Sequence, residues 1–273
     1  MEKTKVLFVS QEITPYLPES EMSLVGRYLP QGIQEKGKEI RTFMPRFGSV
    51  NERRNQLHEV IRLSGMNLII SDTDHPLIIK VGSIQTARMQ VYFIDNEDYF
   101  QRKFVLHNEN NEEFEDNDER TVFFNRGVIE TVKKLRWTPD IVHCHGWFTG
   151  LTPFYIKKTY FDNPLFSEAK VIYSIYDNDF TKTMDPAIKS KLKMPGMKDE
   201  DLKIFDKPDF FNMTKVAIDN SDAIIMGSPQ INPEVQKYLE TLDKPVLPYF
   251  PQDKIVDEYS DFYDKLLAGD YDK

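Results

Sequence analysis

The sequence predicts an α/β domain, doubly wound around a mostly parallel β-sheet. Short apolar runs bounded by turn residues alternate with segments whose apolar residues recur at spacings of three and four, the pattern of strands alternating with helices. The runs are apolar at nearly every position, which is typical of strands covered on both faces. A chain of 273 residues is long enough to bury one large core, so one α/β domain is expected.

The first elements form a strand, loop and helix unit. Residues 6–10 are a fully apolar strand, and apolar residues between Met22 and Ile33 then recur at helical spacing before Gly37 ends the helix. Residues 39–44 form a second strand. This order is the usual beginning of a parallel sheet.

The middle of the chain predicts a β-rich insertion. Residues 60–70, 77–81 and 89–94 are rich in branched side chains and are separated by turn signals, which indicates hairpin strands. Residues 108–119 are strongly acidic and lack the glycine and spacing of a calcium loop, so they predict a solvated loop. A long amphipathic helix begins near Asp118.

The next strand delivers the candidate ligand contacts. Residues 141–144 are a short apolar run, and Gly146 follows as a turn signal. Because open α/β sheets bind ligands beyond the carboxyl ends of their strands, His145 and Trp147 would meet such a ligand. The alternative is that these side chains only satisfy polar groups at the strand end. His143 and His145 also suggest a metal pair, but no third ligand has a convincing spacing, so no metal is predicted.

A second polar group follows the next predicted strand. Residues 170–176 form that strand, and Asp177 to Asp179 lie at its end. Residues 181–209 are a long polar excursion, a kind of segment that is usually functional or mobile. A helix at 213–220 and a strand at 223–226 continue the alternation.

Composition excludes several classes of function. The formal net charge of −9 and the lack of a basic cluster argue against nucleic acid and anionic membranes as partners. Cys144 is the only cysteine, so no intrachain disulfide is expected and nothing suggests an oxidising compartment. No apolar run has the length of a signal peptide core or a membrane span. We therefore expect a cytoplasmic protein.

Three motifs carry a resemblance to a known family. They are Val9-Ser10-Gln11-Glu12 with Pro15, the run Asp116-Asn117-Asp118-Glu119-Arg120 preceded by Phe100 and Arg102, and the run from Pro139 to His145 with Trp147, Thr149 and Gly150. Together they resemble the N-terminal half of bacterial glycogen synthases and plant starch synthases. The resemblance implies a Rossmann-like domain, here residues 1–250, of a two-domain glycosyltransferase. Such enzymes transfer glucose from a nucleotide-glucose to an α-1,4-glucan in the cleft between the domains.

The loop after the first strand departs from this family. The family has Lys-Thr-Gly-Gly-Leu there, whereas this chain has Pro18, Glu19, Ser20, Glu21 and then Met22. Proline has neither charge nor backbone N–H, glutamates repel a diphosphate, and side chains replace the glycine hydrogens that allow close approach. We expect this degenerate donor loop not to bind a nucleotide-sugar in the family's manner.

Two further positions and the second domain differ as well. The family's His-Asn pair is Tyr176-Asp177 here, and its His-Asp-Trp-His is His145-Gly146-Trp147-Phe148. The family's second domain, whose cations hold the diphosphate, is not recognised in this sequence. Losing even one preorganised contact of this kind costs a few kcal/mol of barrier stabilisation. The resemblance therefore predicts no catalytic residue in this chain and no cofactor.

Three hypotheses of function follow from the resemblance. The first is a non-catalytic relative that binds an α-glucan, a partner synthase chain or a second copy of itself. The second is an active glycosyltransferase completed by another chain that carries the missing domain. The third, a fragment of a full synthase, is disfavoured by the altered donor loop. Candidate glucan contacts are His145, Trp147, Thr149, Tyr176 and Asp177.

Residues 251–273 predict a closing helix. Ile255, Tyr259, Phe262 and Leu266 recur at spacings of three and four. The segment resembles the final helix of two-domain glycosyltransferases, which crosses back onto the N-terminal domain. Because short helices take their stability from packing, we expect this apolar face to dock on the domain or on another subunit, with Tyr259 and Phe262 buried.

Overall fold

The computed structural model describes residues 3–270, and within them ten strands form one mixed sheet. The strands are β1 (Lys5–Ser10), β2 (Glu39–Pro45), β3 (His58–Glu59), β4 (Met66–Ile70), β5 (Thr73–Ile84), β6 (Met89–Asp95), β7 (Ile141–His145), β8 (Lys170–Ile175), β9 (Ala223–Met226) and β10 (Val246–Leu247). Their order is β10-β9-β8-β7-β1-β2-β6-β5-β3, with β4 paired to β5 alone. Neighbours from β10 to β6 are parallel, and β5 is antiparallel to its partners. The predicted mostly parallel sheet with a β-rich insertion is confirmed.

Helices flank this sheet. They are α1 (Glu21–Glu35), α2 (Glu97–Phe100), α3 (Asn117–Leu135), α4 (Leu151–Lys158), α5 (Ile188–Leu192), α6 (Asp199–Leu202), α7 (Phe210–Asp219), α8 (Pro233–Leu239) and α9 (Ile255–Ala268). α1 contacts β2 and α9, whereas α3 contacts β6 and α4, and α4 contacts α7. The core is made of the apolar strand residues and the helix faces packed on them.

The strand order reverses between β1 and β7. β1 lies between β2 and β7, so the chain adds strands on both sides of this point. Ser10 at the end of β1 is opposite His145 at the end of β7, and His145 is opposite Ser174 of β8. The loops after these strands therefore leave from one edge, at the switch point where α/β sheets bind ligands.

The insertion is hairpin-like, but the strand predicted at residues 60–70 is wrong in its first half. Residues 60–65 form turns, and only Met66–Ile70 is a strand. The Val60 N–H donates to the Ile79 carbonyl, and Gly65 has a positive φ, which breaks an extended run. Branched side chains in these turns gave a strand-like pattern without strand geometry.

The acidic segment 108–119 is less solvated than predicted. Asp118 is buried, and Lys191 Nζ lies 2.6 Å from its carboxylate. The Glu113 carboxylate accepts backbone N–H bonds from Thr181 (2.7 Å) and Lys182 (2.9 Å). The prediction of a solvated loop missed these bonds because their donors come from a distant part of the chain.

Those donors belong to the excursion at residues 181–209, which is packed onto the domain. It contains α5, which contacts α3, and it buries Ile188, Leu192 and Phe205. Its polar sequence is explained by lysine and aspartate pairs such as Lys189 with Asp206.

The apolar face of α9 is buried against α1. Tyr259 and Phe262 are 1% and 3% exposed, as predicted for this face. A side chain at Gly32 of α1 would collide with Val256, so the two helices approach closely. The Tyr263 hydroxyl lies 2.6 Å from His143 Nδ1 of β7. The domain boundary at residue 250 stays a prediction. Of the helices described, none combines the length and apolarity needed to cross a bilayer.

Candidate ligand-binding cleft

Two adjoining cavities lie beyond the carboxyl edge of the sheet. The α1 cavity, of about 370 Å³, is lined by Glu12 and residues 20–22, by residues 176–178 after β8 and by residues 228–230 after β9. The Trp147 cavity, of about 390 Å³, is lined by residues of the loops after β1, β7 and β8 and by residues that precede α3. The two cavities share Glu12, Ser20 and Asn178. They form one cleft at the topological switch point.

The beginning of α1 shapes the shared wall. Ser20 has extended backbone angles and caps the helix, because its Oγ accepts the Ser23 N–H (3.0 Å) while Ser23 Oγ accepts the Ser20 N–H (2.8 Å). Ser20 Oγ also donates to Glu12 Oε2 at 2.7 Å. A carboxylate of this chain is therefore tied to the positive end of α1.

A second carboxylate lies at the same helix end. Glu21 Oε2 accepts a hydrogen bond from Ser228 Oγ at 2.6 Å. The Tyr249 hydroxyl also donates to Glu21, and this bond raises the pKa of Tyr249. Glu21 thus ties α1 to the loop after β9 and to the segment that precedes α9.

The lining of both cavities is acidic. The α1 cavity has Glu12, Glu21 and Asp177, and no lysine or arginine among the residues described there. The Trp147 cavity has Glu12, Glu19, Glu113 and Asp179, likewise with no lysine or arginine in its described lining. Burial raises the pKa of Asp179, a hydrogen bond from Asn232 opposes that shift, and the negative charge of Asp177 adds to it. The cleft is therefore unfavourable for an anion.

The Trp147 cavity combines this acidity with apolar surface. Trp147 packs on Phe180 with ring centroids 4.8 Å apart. Pro18 and Leu106 also line the cavity. The Trp147 indole N–H donates no hydrogen bond to any residue that the structure describes. An apolar wall with a few polar groups is the usual lining of a small-molecule site.

The predicted site residues divide into two sets. Trp147, Tyr176 and Asp177 line the cleft, as do the donor-loop residues Pro18, Glu19, Ser20 and Glu21. His145 and Thr149 lie behind the wall instead.

His145 and Thr149, the two residues behind the cleft wall, have polar partners within the protein. Thr149 Oγ1 donates to the Gly146 carbonyl at 2.8 Å, and His145 Nδ1 lies 2.9 Å from the Tyr176 hydroxyl. Burial lowers the pKa of His145 to about 3, so its imidazole is neutral. His145 therefore holds the Tyr176 hydroxyl from the buried side of the cleft wall.

The histidine pair is not arranged as a metal site. The rings of His143 and His145 are 3.9 Å apart between centroids. His143 contacts Tyr263 through Nδ1 and Ser174 through Nε2. In the described residues no group of three or more His, Cys, Asp or Glu side chains is placed to hold a metal ion.

Gly146 explains one departure from the family motif. Its φ is +83°, and a Cβ there would lie 2.8 Å from Gln11 Oε1 and 2.8 Å from Met22 Cε. An acidic side chain has no room at this position, because Met22 of the altered loop fills the space. Met22 and Gly146 therefore pack closely against each other.

Sequence reasoning missed several lining residues, among them Gln11, Phe180 and Ser228. Gln11 is buried, and its Oε1 accepts the Phe148 N–H at 3.2 Å and the Asn178 side-chain amide at 3.4 Å. Phe180 and Ser228 line the cavities as well and were not assigned to the site. The rule that ligands meet strand ends would have found Gln11, which directly follows β1.

The described residues have an α/β fold of the GT-B-like class. A doubly wound parallel sheet, a cleft at its switch point and a final helix packed back on α1 make up this architecture. More particularly, the chain belongs to the family of the starch synthase catalytic domain, which matches residues 5–245.

Known proteins agree with this assignment. The glycogen synthase of Chlorobium limicola is 37% identical over 174 residues, which are 63% of this chain and 36% of that protein. The glycogen synthase of Chlorobium phaeovibrioides is 32% identical over 232 residues, or 85% and 47% of the two chains. The catalytic domain of starch synthase IV from Arabidopsis thaliana, bound to ADP and acarbose, has the same fold, with a TM-score of 0.68 and 16% identity over 97% of this chain and 50% of that chain. The chain spans half or less of the length of these proteins, and the resemblance inferred from its motifs is confirmed.

Proposed function

We propose that this chain binds a neutral α-glucan in the cleft and does not bind a nucleotide-sugar donor in the manner of its family. The observation that carries the proposal is the end of α1, where the carboxylates of Glu12 and Glu21 lie in a cavity without a described lysine or arginine. A helix end that would attract a phosphate is already next to two anions of the chain itself.

The electrostatic cost of a diphosphate there is large. Two like unit charges 4 Å apart repel by about 4 kcal/mol at the effective dielectric constant near a protein surface. A nucleoside diphosphate would meet Glu12, Glu21 and Asp177, and the described lining of this cavity has no lysine or arginine to balance them. A glucan has hydroxyl groups that donate to carboxylates and carries no charge, so it avoids this repulsion.

The relatives support a carbohydrate ligand. Two relatives at 37% and 32% identity are glycogen synthases, and the Arabidopsis domain was solved with ADP and acarbose. In this chain Trp147 and Phe180 are 5% and 7% exposed, and their exposed edges give the Trp147 cavity an apolar wall that a sugar ring can contact. The altered donor loop supports the loss of the nucleotide rather than of the glucan.

Calorimetry tests the proposal directly. Maltooligosaccharides are titrated into the full chain, and ADP-glucose is titrated separately. We expect glucan binding that Trp147→Ala weakens by about 1 to 3 kcal/mol, the scale of an aromatic anchor. Phe161→Ala is the matched control, because Phe161 is 59% exposed and outside the cleft. Micromolar binding of ADP-glucose, or glucan binding that is untouched by Trp147→Ala, would contradict the proposal.

A second candidate is a glycosyltransferase completed by a partner chain. Membership of a synthase family and the intact Trp147 wall favour it. Under this hypothesis, glucose transfer from ADP-glucose appears only when a chain carrying the second domain is added. The same experiment with Glu12→Gln and Glu21→Gln distinguishes the candidates, since removing these charges should raise transfer if a donor enters the α1 cavity.

A further inference from the structure

We propose that Phe180 is a lid over Trp147 and that Glu113 is the positioning residue that holds this lid closed. Phe180 is carried by the lid segment, residues 176–187, which has neither helix nor strand and connects β8 to α5. The inference deepens the proposed function, because it gives the glucan site a step that uncovers its aromatic anchor. It rests on that function for the identity of the ligand.

Trp147 is covered on more than one side. It is 5% exposed, and the rings of Phe180 and Phe148 pack on it with centroids 4.8 Å and 5.4 Å away. Phe180 is itself 7% exposed and packs in turn on Phe210 of α7, at 5.4 Å. An aromatic side chain contributes to binding through the area that it buries against the ligand. A ligand reaches more than a small part of Trp147 only when Phe180 moves aside.

The space between Trp147 and the middle of the lid segment is too small for a sugar. A cavity of about 30 Å³ lies there, and its lining includes Trp147, Phe180, Glu113 and Lys182. Such a volume holds about one or two water molecules. A glucose unit therefore cannot enter between these residues while the lid segment stays in this position.

One carboxylate holds the middle of the lid segment. Glu113 accepts the backbone N–H of Thr181 at 2.7 Å and that of Lys182 at 2.9 Å, and the Thr181 hydroxyl donates to it at 3.2 Å. Across residues 178–183, these two backbone N–H groups are the ones with an acceptor among the described residues. Lys182 also forms an exposed ion pair with Glu115, a kind of contact that contributes little. Glu113 is therefore the main polar contact of the backbone beside Phe180.

The lid segment has other contacts on the two sides of Phe180. The Asp179 carboxylate accepts a hydrogen bond from the Asn232 side chain at 2.6 Å, and the Met184 N–H donates to the Pro208 carbonyl at 3.1 Å. A lid usually moves about a few loop residues at its ends. These contacts fix the ends, so losing the bonds to Glu113 frees the part between them, which carries Phe180.

Glu113 itself belongs to a fixed part of the domain. It lies in a hairpin, residues 106–114, which an antiparallel bridge closes. The Leu106 carbonyl accepts the Phe114 N–H at 3.1 Å and the side-chain amide of Asn117, in α3, at 3.0 Å. The Glu113 side chain is 10% exposed, so its hydrogen bonds are shielded from water and are stronger for it. Glu113 is the fixed acceptor, and the lid segment is the part that moves.

A closed lid lowers the apparent affinity for a ligand that needs Trp147 uncovered. The apparent dissociation constant is the intrinsic one divided by the fraction of molecules that are open. Removing Glu113 raises this fraction and therefore tightens binding. A residue that only builds the site would weaken binding when removed, so the sign of the change distinguishes the two roles.

The first measurement needs no ligand. The chain has two tryptophans, Trp137 and Trp147, and acrylamide quenching of their fluorescence reports how far they are uncovered. Trp147→Phe, made in each background, gives the part due to Trp137. We expect Glu113→Ala to raise the open fraction about tenfold or more, the effect of losing a hydrogen bond to a charged group, and to raise the quenching of Trp147 with it.

Glu109→Ala is the matched control for this measurement. Glu109 is exposed in the same hairpin and makes no hydrogen bond or ion pair with a described residue. Glu113→Gln should give an intermediate result, because its amide oxygen can accept one of the two backbone N–H bonds and its amide nitrogen cannot accept the other. If Glu113→Ala does not fold, Glu113→Gln serves in its place.

The second measurement is calorimetry with maltoheptaose on the full chain. We expect Glu113→Ala to bind it about tenfold more tightly than the wild type, in step with the rise of the open fraction. Glu109→Ala should bind it as the wild type does.

The outcomes separate this inference from the proposed function. Equal quenching of Trp147 in Glu113→Ala and Glu109→Ala would overturn the inference and leave the glucan site standing. Greater quenching in Glu113→Ala with unchanged or weaker maltoheptaose binding would also overturn it, because the ligand would then not depend on the uncovered ring. If no variant binds a maltooligosaccharide, the proposed function fails, and quenching alone decides whether Glu113 holds Phe180 over Trp147.

Discussion

The two cavities of the cleft share lining residues but differ in how closely the residues around them match the family's motifs. The motif residues His145, Trp147 and Thr149 are present at the Trp147 cavity, and His145 and Thr149 lie behind its wall. By the resemblance to the family, a lysine and glycines are expected at the α1 cavity, where this chain has Pro18, Ser20 and Glu21.

The difference shows how carboxylates of the chain itself can occupy a helix end of the kind that binds phosphate. Ser20 caps α1, and its hydroxyl brings Glu12 to the helix end. Glu21 adds a second carboxylate, which two hydroxyl groups from later segments bind. The positive end of the α1 dipole still favours an anion, but the anions next to it are carboxylates of the chain itself. Under the proposed function, this difference from the family changes the ligand and leaves the fold intact.

Acidification should give the largest of the expected effects. It should lower the free energy of unfolding through His143 and His145, which lie behind the cleft. Burial lowers the pKa of His145 to about 3, and burial together with His145 lowers that of His143. An unfolded histidine has a pKa near 6.5, so below that pH the unfolded state binds more protons than the folded state. Stability is therefore present above about pH 6.5 and is lost as pH falls toward 3, by about 1.4 kcal/mol per pH unit for each histidine.

Urea unfolding at pH 7, 6 and 5 measures this slope, in a range where most carboxylates stay ionised. His58→Asn is the control, because His58 is exposed and should not change the slope. The groups that face the pair from other elements are Tyr176, Tyr259 and Tyr263, which do not titrate in this range because burial raises their pKa. Equal stability at pH 7 and pH 5 would show that the histidines are accessible to protons.

Gly146→Ala tests the packing that couples the two cavities. The new Cβ meets Gln11 and Met22 at 2.8 Å in a left-handed backbone conformation. Gly37→Ala is the matched control, since Gly37 has φ +92° with nothing within 4 Å of the added atom. We expect Gly146→Ala to lower the free energy of unfolding by about 1 to 3 kcal/mol more than Gly37→Ala. Equal effects would mean that Met22 moves freely and that the family's acid was lost for another reason.

Much of the fold could be predicted from the sequence because burial on both faces leaves uninterrupted apolar runs. β1, β7 and β8 were located this way, whereas α9 was located from apolar residues at spacings of three and four. The same property hides which face a side chain takes, since in β7 every residue is buried. His145 was therefore placed in the cleft, although it lies behind Tyr176.

The position of the Glu12 and Glu21 carboxylates at the beginning of α1 could be predicted only in part. The repulsion expected from Glu19 and Glu21 needs composition alone, but the bond from Ser20 to Glu12 depends on how the loop after β1 folds back. Ser228 and Tyr249 reach Glu21 from more than 200 residues away. Such contacts have no periodicity, so local patterns do not predict them.

Glu21→Ala should give the smallest effect on stability. It is also the most direct test of how the α1 cavity differs from the Trp147 cavity. The change removes the acceptor of the Ser228 and Tyr249 hydroxyls at the end of α1, and we expect the free energy of unfolding to fall by about 1 kcal/mol. Glu19→Ala is the control, because Glu19 is exposed and makes no hydrogen bond to a described residue. The segment that Tyr249 holds runs to Lys254, which is exposed, so trypsin should cleave there faster in Glu21→Ala than in Glu19→Ala. If the two variants match in both stability and cleavage, Glu21 only adds charge to the cleft and does not replace a ligand at the helix end.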